Sequence, residues 1–229
     1  MFDTGLLVIW LVVTWCVAGE GPFGAAVNCV VIVISGLLAM NFFESAASMG
    51  QSVIGGGAWI VRWDIIALVG LFAIFVTVLR MLLEKLSPLY FQIGGLAHEL
   101  GRWGFGLVGG YATMAFLLTA LHTAPLPRTF MEFTPERANL YGVLAPDRQW
   151  LGFTQYTSET LFATGNIFDG PQVDFINDAP DAESNTIWPS FPIRYATRRE
   201  MYASGGGGGP AAAPQAPVRR RSSGGGGGF

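Results

Sequence analysis

The sequence predicts an all-α integral membrane protein that has four transmembrane helices in two hairpins, a short helical C-terminal extension and a disordered glycine-rich tail. Of the 229 residues, 51% are hydrophobic and only 13% are charged, whereas soluble domains average about 25% charged residues. Four apolar runs follow one another within the first 124 residues, and three of them have the length of about 20 residues that a helix needs to cross a bilayer. The small net charge of −3 argues against a nucleic-acid partner.

The first hairpin is predicted from residues 4–18 and 23–43. The first run carries Asp3 rather than a cation at its flank and lacks a cleavage pattern, so we expect an uncleaved span that is short enough to tilt or to thin the bilayer. In the second run, small residues such as Ser35 and Ala39 suit close helix packing. Its most notable polar residue is Asn28. An amide in lipid needs a hydrogen-bond partner, so a bond to a neighbouring helix is favoured over a place along a transport path.

The third span is predicted from residues 64–83, after a connection over residues 44–62. The connection favours a surface or partly re-entrant helix and then a flexible joint, because three glycines stand in a row at residues 55–57. Asp64 and Arg80 lie near opposite ends of the span, about 24 Å apart on a helix. They are too far apart to pair, so we expect each to reach its own interface.

The fourth span is predicted from residues 101–124, the longest apolar run. Gly106 and Gly110 form a Gly-x-x-x-Gly pair, which in lipid lets the backbone of a neighbouring helix approach closely. Thr113 is a polar residue deeper in the same span. The run also contains a Gly-x-Gly-x-x-Gly pattern, but a dinucleotide site needs a preceding strand and a later acidic residue, and the sequence provides neither.

Three segments divide the chain: a transmembrane domain over residues 1–124, an aromatic-rich extramembrane segment over residues 125–204, and a disordered tail over residues 205–229. The middle segment favours two short helices, one capped by Thr134 and one capped by Asp147. The tail consists of glycine runs around prolines, alanines and a cluster of arginines, a composition typical of disorder.

Few residues have the types or the spacing that catalysis or metal binding requires. His98 and His122, the two histidines, flank the fourth span at opposite ends, so the sequence offers no set of zinc ligands. Cys16 and Cys29 lie in apolar runs and are interpreted as small apolar side chains. We therefore predict no catalytic, cofactor-binding or metal-binding residues.

A small transporter or channel subunit is the main alternative to a structural membrane protein. The candidates for lining its path are the polar residues in and beside the spans, Asn28, Asp64, Arg80, Thr113 and His122. Only Asn28 and Thr113 lie well inside the predicted spans. The predicted partners are the lipid bilayer and, within it, further copies of the chain or other envelope proteins.

Loop charges predict the orientation of the chain. The loop between spans three and four is flanked by Arg80, Lys85 and Arg102, whereas the short segments on the other face hold Arg62. Cations of short loops stay in the cytoplasm, so both termini are expected on the periplasmic side of the inner membrane. The opposite orientation stays open, because two further arginines follow the fourth span closely.

The order of these parts resembles the colicin V production protein (CvpA) family of bacterial inner-membrane proteins. The likeness covers residues 1–161. It is carried by the two hairpins, by a third loop that leads into HELGRWGFGLVGGY at the fourth span, and by a polar segment with a short tryptophan-bearing helix. The first turn departs from the family, because it reads GEGPFG where the family usually has arginines beside a glycine. The resemblance implies a non-enzymatic, multi-pass inner-membrane protein that supports toxin production or export, or envelope homeostasis.

Overall fold

The computed structural model of the protein describes most of the first 162 residues and two positions beyond them. The described residues are 2–54, 62–86, 94–127, 130–133, 138–162, 191 and 195. Within them the chain is helical, apart from turns and two isolated β-bridges. The predicted joint at residues 55–57, the helix start at Thr134 and the tail over residues 205–229 lie outside the described residues.

Five α-helices and one π-helical segment follow one another along the chain. They are α1 (Phe2–Ala18), α2 (Gly21–Ile54), α3 (Trp63–Leu86), α4 (Leu96–His122), α5 (Pro146–Tyr156) and the π-helical segment Thr157–Phe162. In the described residues, α2, α3 and α4 are long and apolar enough to cross a membrane, and α1 is a shorter apolar helix. The prediction of an all-α chain is therefore confirmed over the described residues, and three helices could span a membrane, whereas a span at α1 remains a prediction.

Helix α2 runs farther than the sequence predicts. The apolar run ends near residue 43, yet the helix continues without a break to Ile54, so the separate surface helix predicted after residue 43 is wrong. Packing explains the extension, because Trp63 of α3 lies so close to Gly50 that a Cβ atom there would be 2.8 Å from Cδ2 of the indole. The serines of this part, Ser48 and Ser52, donate hydrogen bonds to carbonyls of their own helix at 2.8 Å.

The turn between α1 and α2 is tight. The Gly19 N–H donates to the Trp15 carbonyl at 3.1 Å, which closes the last turn of α1. Gly21 then adopts a left-handed conformation with φ of 78°, which glycine reaches without the clash of a Cβ atom. Pro22 follows in the first turn of α2, where its missing N–H has no helical partner to lose.

Helices α2 and α4 form the centre of the bundle. Helix α3 packs mainly on α2, and α1 packs mainly on α4. The larger hydrophobic core lies between α2, α3, α4 and α5, and its buried members include Ala39, Met40, Phe43, Leu68, Phe116 and Trp150. A second core joins α1 and α4 to the chain that follows α4, through Leu6, Met114, Leu118, Phe133 and Leu140.

Glycines on two faces of α4 let both neighbouring helices approach. A Cβ atom at Gly106 would lie 3.0 Å from the Thr14 carbonyl oxygen, and one at Gly110 would lie 2.8 Å from the Trp10 carbonyl oxygen, both in α1. On the other face, a Cβ atom at Gly109 would lie 3.5 Å from Cα of Cys29 in α2. The Gly-x-x-x-Gly pair therefore lies where the backbones of α1 and α4 come close.

Candidate functional site

The last residue of α4 and the first turn of α5 meet at a buried histidine–aspartate contact. His122 ends α4, and its Nε2 lies 2.9 Å from Oδ2 of Asp147, with both side chains 0% exposed. Asp147 follows Pro146, whose fixed φ suits the first helical turn. The backbone of α5 thereby aims the carboxylate at the imidazole. We call this histidine–aspartate pair and the hydrogen bonds around it the junction.

Two further side chains bind Asp147. Asn139 Nδ2 donates to the same carboxylate oxygen at 3.1 Å, and Thr119 Oγ1 of α4 donates to the backbone carbonyl of Asp147 at 3.3 Å. The Phe133 ring covers the imidazole with a centroid separation of 4.7 Å. The other carboxylate oxygen, Oδ1, is buried and has no hydrogen-bond partner among the described residues. A carboxylate placed in this way is costly unless its partners stay in position.

Trp150 lies one turn beyond the junction and fills a gap between α2 and α4. A Cβ atom at Gly36 of α2 would lie 2.7 Å from Cη2 of Trp150, so only glycine leaves room for the indole. On the other side, the Trp150 and Phe116 rings meet edge to face at 5.8 Å, and Phe116 stacks on Phe72 of α3 at 4.2 Å. The aromatic column of Phe72, Phe116 and Trp150 therefore joins three helices.

Helix α5 is attached to α4 at a third point. The Tyr111 hydroxyl donates to Oε1 of Gln149, and Tyr111 also packs edge to face on Trp10 of α1. Because Tyr111 lies almost three turns before the end of α4, α5 runs back along α4 rather than away from the bundle. The segment predicted as extramembrane thus shares its core with the spans.

The residues predicted to pack helices lie at or near helix contacts. Gly106 and Gly110 lie against α1, as described above. Ser35 and Ala39 of α2 are both 0% exposed, and Ala39 belongs to the larger core. Small side chains at these positions allow α2 to lie close to its neighbours.

The polar residues predicted inside the membrane do not form one path. Thr113 donates to the Gly109 carbonyl of its own helix at 2.9 Å. Asp64 is buried at the start of α3, whereas the sequence predicts a side chain that reaches its interface. The structure brings Asn28 and Arg80 together on Glu20, the residue of the first turn. Asn28 Nδ2 and an Arg80 guanidinium nitrogen each lie 2.5 Å from a different oxygen of that carboxylate.

Arg80, which the sequence predicts to reach its own interface, makes this contact while its side chain stays 46% exposed. Arg80 also pairs with Glu84, one helical turn later, at 2.9 Å. Asn28 was predicted to bond to a neighbouring helix, but it bonds to Glu20 in the turn of its own hairpin. This cluster ties α3 to the first turn, at the end of the bundle opposite the junction.

The junction is the feature that the sequence analysis missed. Asp147 was assigned as a helix cap, but α5 begins at Pro146, its cap position is Ala145 without a side-chain hydrogen bond, and Asp147 turns to His122 instead. The two residues are separated by 25 positions, so no helical periodicity relates them. The signal in the sequence is a histidine at the end of an apolar span, because such a side chain needs a polar partner if it is buried.

Metal binding gains no support from the geometry. Across the residues that the structure describes, no three His, Cys, Asp or Glu side chains converge on one point. Comparisons of the chain with models of protein families, with curated proteins and with solved structures find no match. The resemblance to the colicin V production family therefore remains a prediction from the quoted residues.

Proposed function

We propose that the chain is a non-catalytic, multi-pass inner-membrane protein that supports production or export of a peptide toxin, or envelope homeostasis more generally, as in the colicin V production family. The bundle acts as a scaffold that holds residues 130–133 and 138–162 in a fixed place beside the end of α4. The proposal includes α1 as a fourth span and the loop between α3 and α4 on the cytoplasmic side, because Arg80, Lys85 and Arg102 flank that loop.

The main support for this proposal is that the junction and Trp150 hold the segment after α4 against the bundle. Burying an imidazole and a carboxyl group costs free energy through desolvation, and such a cost is reasonable where position matters. The polar groups of the spans support the same interpretation, since Thr113, Asn28 and Arg80 all bond within the bundle. A scaffold needs this kind of fixed geometry. The proposed partners are envelope proteins that bind the segment after α4.

Complementation of a deletion strain tests the proposal. A chain cut after Ser204 should restore the envelope phenotype, whereas a chain cut after Ala124 should not, once equal membrane levels are established. Trp150→Ala should reduce complementation because the segment loses its anchor. Phe153→Ala is the matched control, because Phe153 is an exposed aromatic residue of the same helix.

Ion flux separates the proposal from its main alternative. Liposomes that contain the purified protein should show the same ion leak as liposomes that contain a denatured control. Selective flux that Arg80→Gln or Asn28→Ala changes would support a channel subunit and contradict a scaffold.

A further inference from the structure

Two turns after α4 expose apolar side chains although they lie outside every span. The turns carry Met131, Tyr141, Val143 and Leu144, which are 58%, 55%, 80% and 44% exposed. We call these four side chains the collar. Water-exposed turns are usually polar. Four large apolar side chains in two neighbouring turns therefore indicate that something apolar covers them.

In both turns, backbone hydrogen bonds join the residues on the two sides of the turn. Phe130 and Phe133 exchange hydrogen bonds of 3.1 and 2.8 Å, and Leu140 and Leu144 exchange hydrogen bonds of 2.9 and 3.1 Å. Such bonding satisfies polar backbone groups that would be costly to leave unpaired near lipid. Met131 and Tyr141 adopt left-handed φ values of 46° and 53°, a conformation that side-chain-bearing residues seldom take.

The base of each turn is buried against the end of α1. Phe133 and Leu140 are 0% and 4% exposed and pack with Leu6. The Phe2 and Phe133 rings lie 5.9 Å apart, and the Tyr141 N–H donates to Oδ1 of Asp3 at 3.2 Å. The collar is therefore continuous with α1, whose outer side chains are apolar and exposed.

The length of α1 indicates what covers the collar. Its 17 residues extend about 25 Å, whereas the hydrocarbon core of a bilayer is about 30 Å thick. At the C-terminal end of α1, the ionic cluster of Glu20 and Arg80 marks the polar boundary. Measured from that boundary, the N-terminal end of α1 stops about 5 Å, or one helical turn, short of the opposite interface. The collar lies beside this N-terminal end.

We propose that the collar binds the bilayer, inserting into the boundary between headgroups and acyl chains beside the short α1. The turn residues 130–133 and 138–144 contain no lysine or arginine, and their one charged residue is the acidic Glu132, so the contact relies on the apolar and aromatic side chains and does not depend on anionic lipid. A tyrosine with an apolar body and a polar tip suits this depth. The inference goes beyond the scaffold function and rests on the proposed placement of α1 as a membrane span.

Spin labels measure the depth of the collar directly. Single cysteines at Val143 and Met131, in a chain with Cys16→Ala and Cys29→Ala, are labelled in nanodiscs of phosphatidylcholine alone. Collisions with oxygen, which concentrates in lipid, are compared with collisions with a water-soluble nickel chelate. A label at Val12, on the exposed face of α1, is the reference for lipid, and a label at Glu159, an exposed acid after α5, is the reference for water.

Labels at Val143 and Met131 should favour oxygen over nickel, as the label at Val12 does, and adding anionic lipid should not change that ratio. A ratio like that of Glu159 would place the collar in water and overturn the proposal. Labels shielded from both reagents would show that a second copy or another protein covers the collar, which would also overturn it. Because both sites are exposed, cysteine replaces few contacts, and neither result depends on the envelope phenotype.

Discussion

His122 and Asp147 show how single residues decide which segment docks on the bundle. Each is fully buried, and a buried charge or imidazole without its partner is strongly unfavourable. Any alternative docking of α5 would leave Asp147 in apolar surroundings without His122 and Asn139. The pair therefore contributes specificity for one arrangement, beyond any net stabilisation that it provides.

Replacing one member of the pair should be more harmful than replacing both. His122→Leu should lower the free energy of unfolding by about 3 kcal/mol, because the carboxylate stays buried with fewer donors. The double variant His122→Leu with Asp147→Leu should lose less than the sum of the two single variants, because apolar groups then replace both polar ones. Chemical unfolding in detergent, analysed as a double-mutant cycle, measures the coupling.

The exposed pair of Gln155 and Glu159, whose hydrogen bond is 2.9 Å long, provides the matched control. Glu159→Leu should change the free energy of unfolding by no more than about 0.5 kcal/mol, as surface substitutions usually do. Equal losses for His122→Leu and Glu159→Leu would show that burial of the junction contributes nothing.

Sequence patterns could assign some of these residues and not others. Gly106 and Gly110 are four positions apart on one helix, so their shared face follows from helical geometry alone. The helix that they meet, α1, does not follow from that spacing. His122 and Asp147 come together only because the chain reverses between α4 and α5, and a reversal through irregular turns leaves no periodic signal in the sequence.

Among the helices, α4 has the most crowded position, because α1, α2 and α5 all pack on it. Its glycines replace side chains at the contacts with α1 and α2. The hydropathy of the span is sufficient to predict that α4 is long and apolar enough to cross a membrane, since length and apolar composition are local properties. The extension of α2 to Ile54 was not predictable in this way, because it depends on the contact of Gly50 with Trp63.

Bulky residues at the glycine pair of α4 should loosen its contact with α1. Gly106→Ile or Gly110→Ile should lower stability by about 1 to 3 kcal/mol, because a branched side chain forces the two backbones apart. Gly104→Ile is the control on the same helix, since nothing lies within 4 Å of a Cβ atom there. Thermal unfolding in detergent compares the three variants, and equal midpoints would contradict a packing role for the pair.

At the scale of the whole molecule, one polar cluster lies at the turn between α1 and α2 and another lies at the end of α4. The cluster of Glu20, Asn28 and Arg80 ties the first turn to α3, and the junction ties α4 to α5. The apolar class and the long spans could be predicted from the sequence, because composition alone separates a membrane protein from a soluble one. The clusters could not be predicted, because each joins residues from different helices.

Orientation in the membrane is a prediction of the whole chain. Single cysteines at Gln92 and at Ser190, in a background without Cys16 and Cys29, should react oppositely with an impermeant thiol reagent applied to intact cells. Ser190 should be labelled from outside and Gln92 should not, because the cations that flank the loop after α3 stay in the cytoplasm. Labelling of Gln92 alone would reverse the orientation, and labelling of both would contradict four spans.

The segment after α4 is docked on the bundle, and two adjacent residues of α5 allow the most direct test of this docking. Leu151 is 3% exposed, whereas the adjacent Gly152 is exposed with nothing within 4 Å of a Cβ atom. In nanodiscs, a water-soluble maleimide should label Gly152→Cys and leave Leu151→Cys unlabelled until the protein is denatured. Adding His122→Leu should expose Leu151→Cys. Equal labelling of both positions in the otherwise unchanged chain would show that α5 is not docked, and labelling of neither would place α5 in lipid.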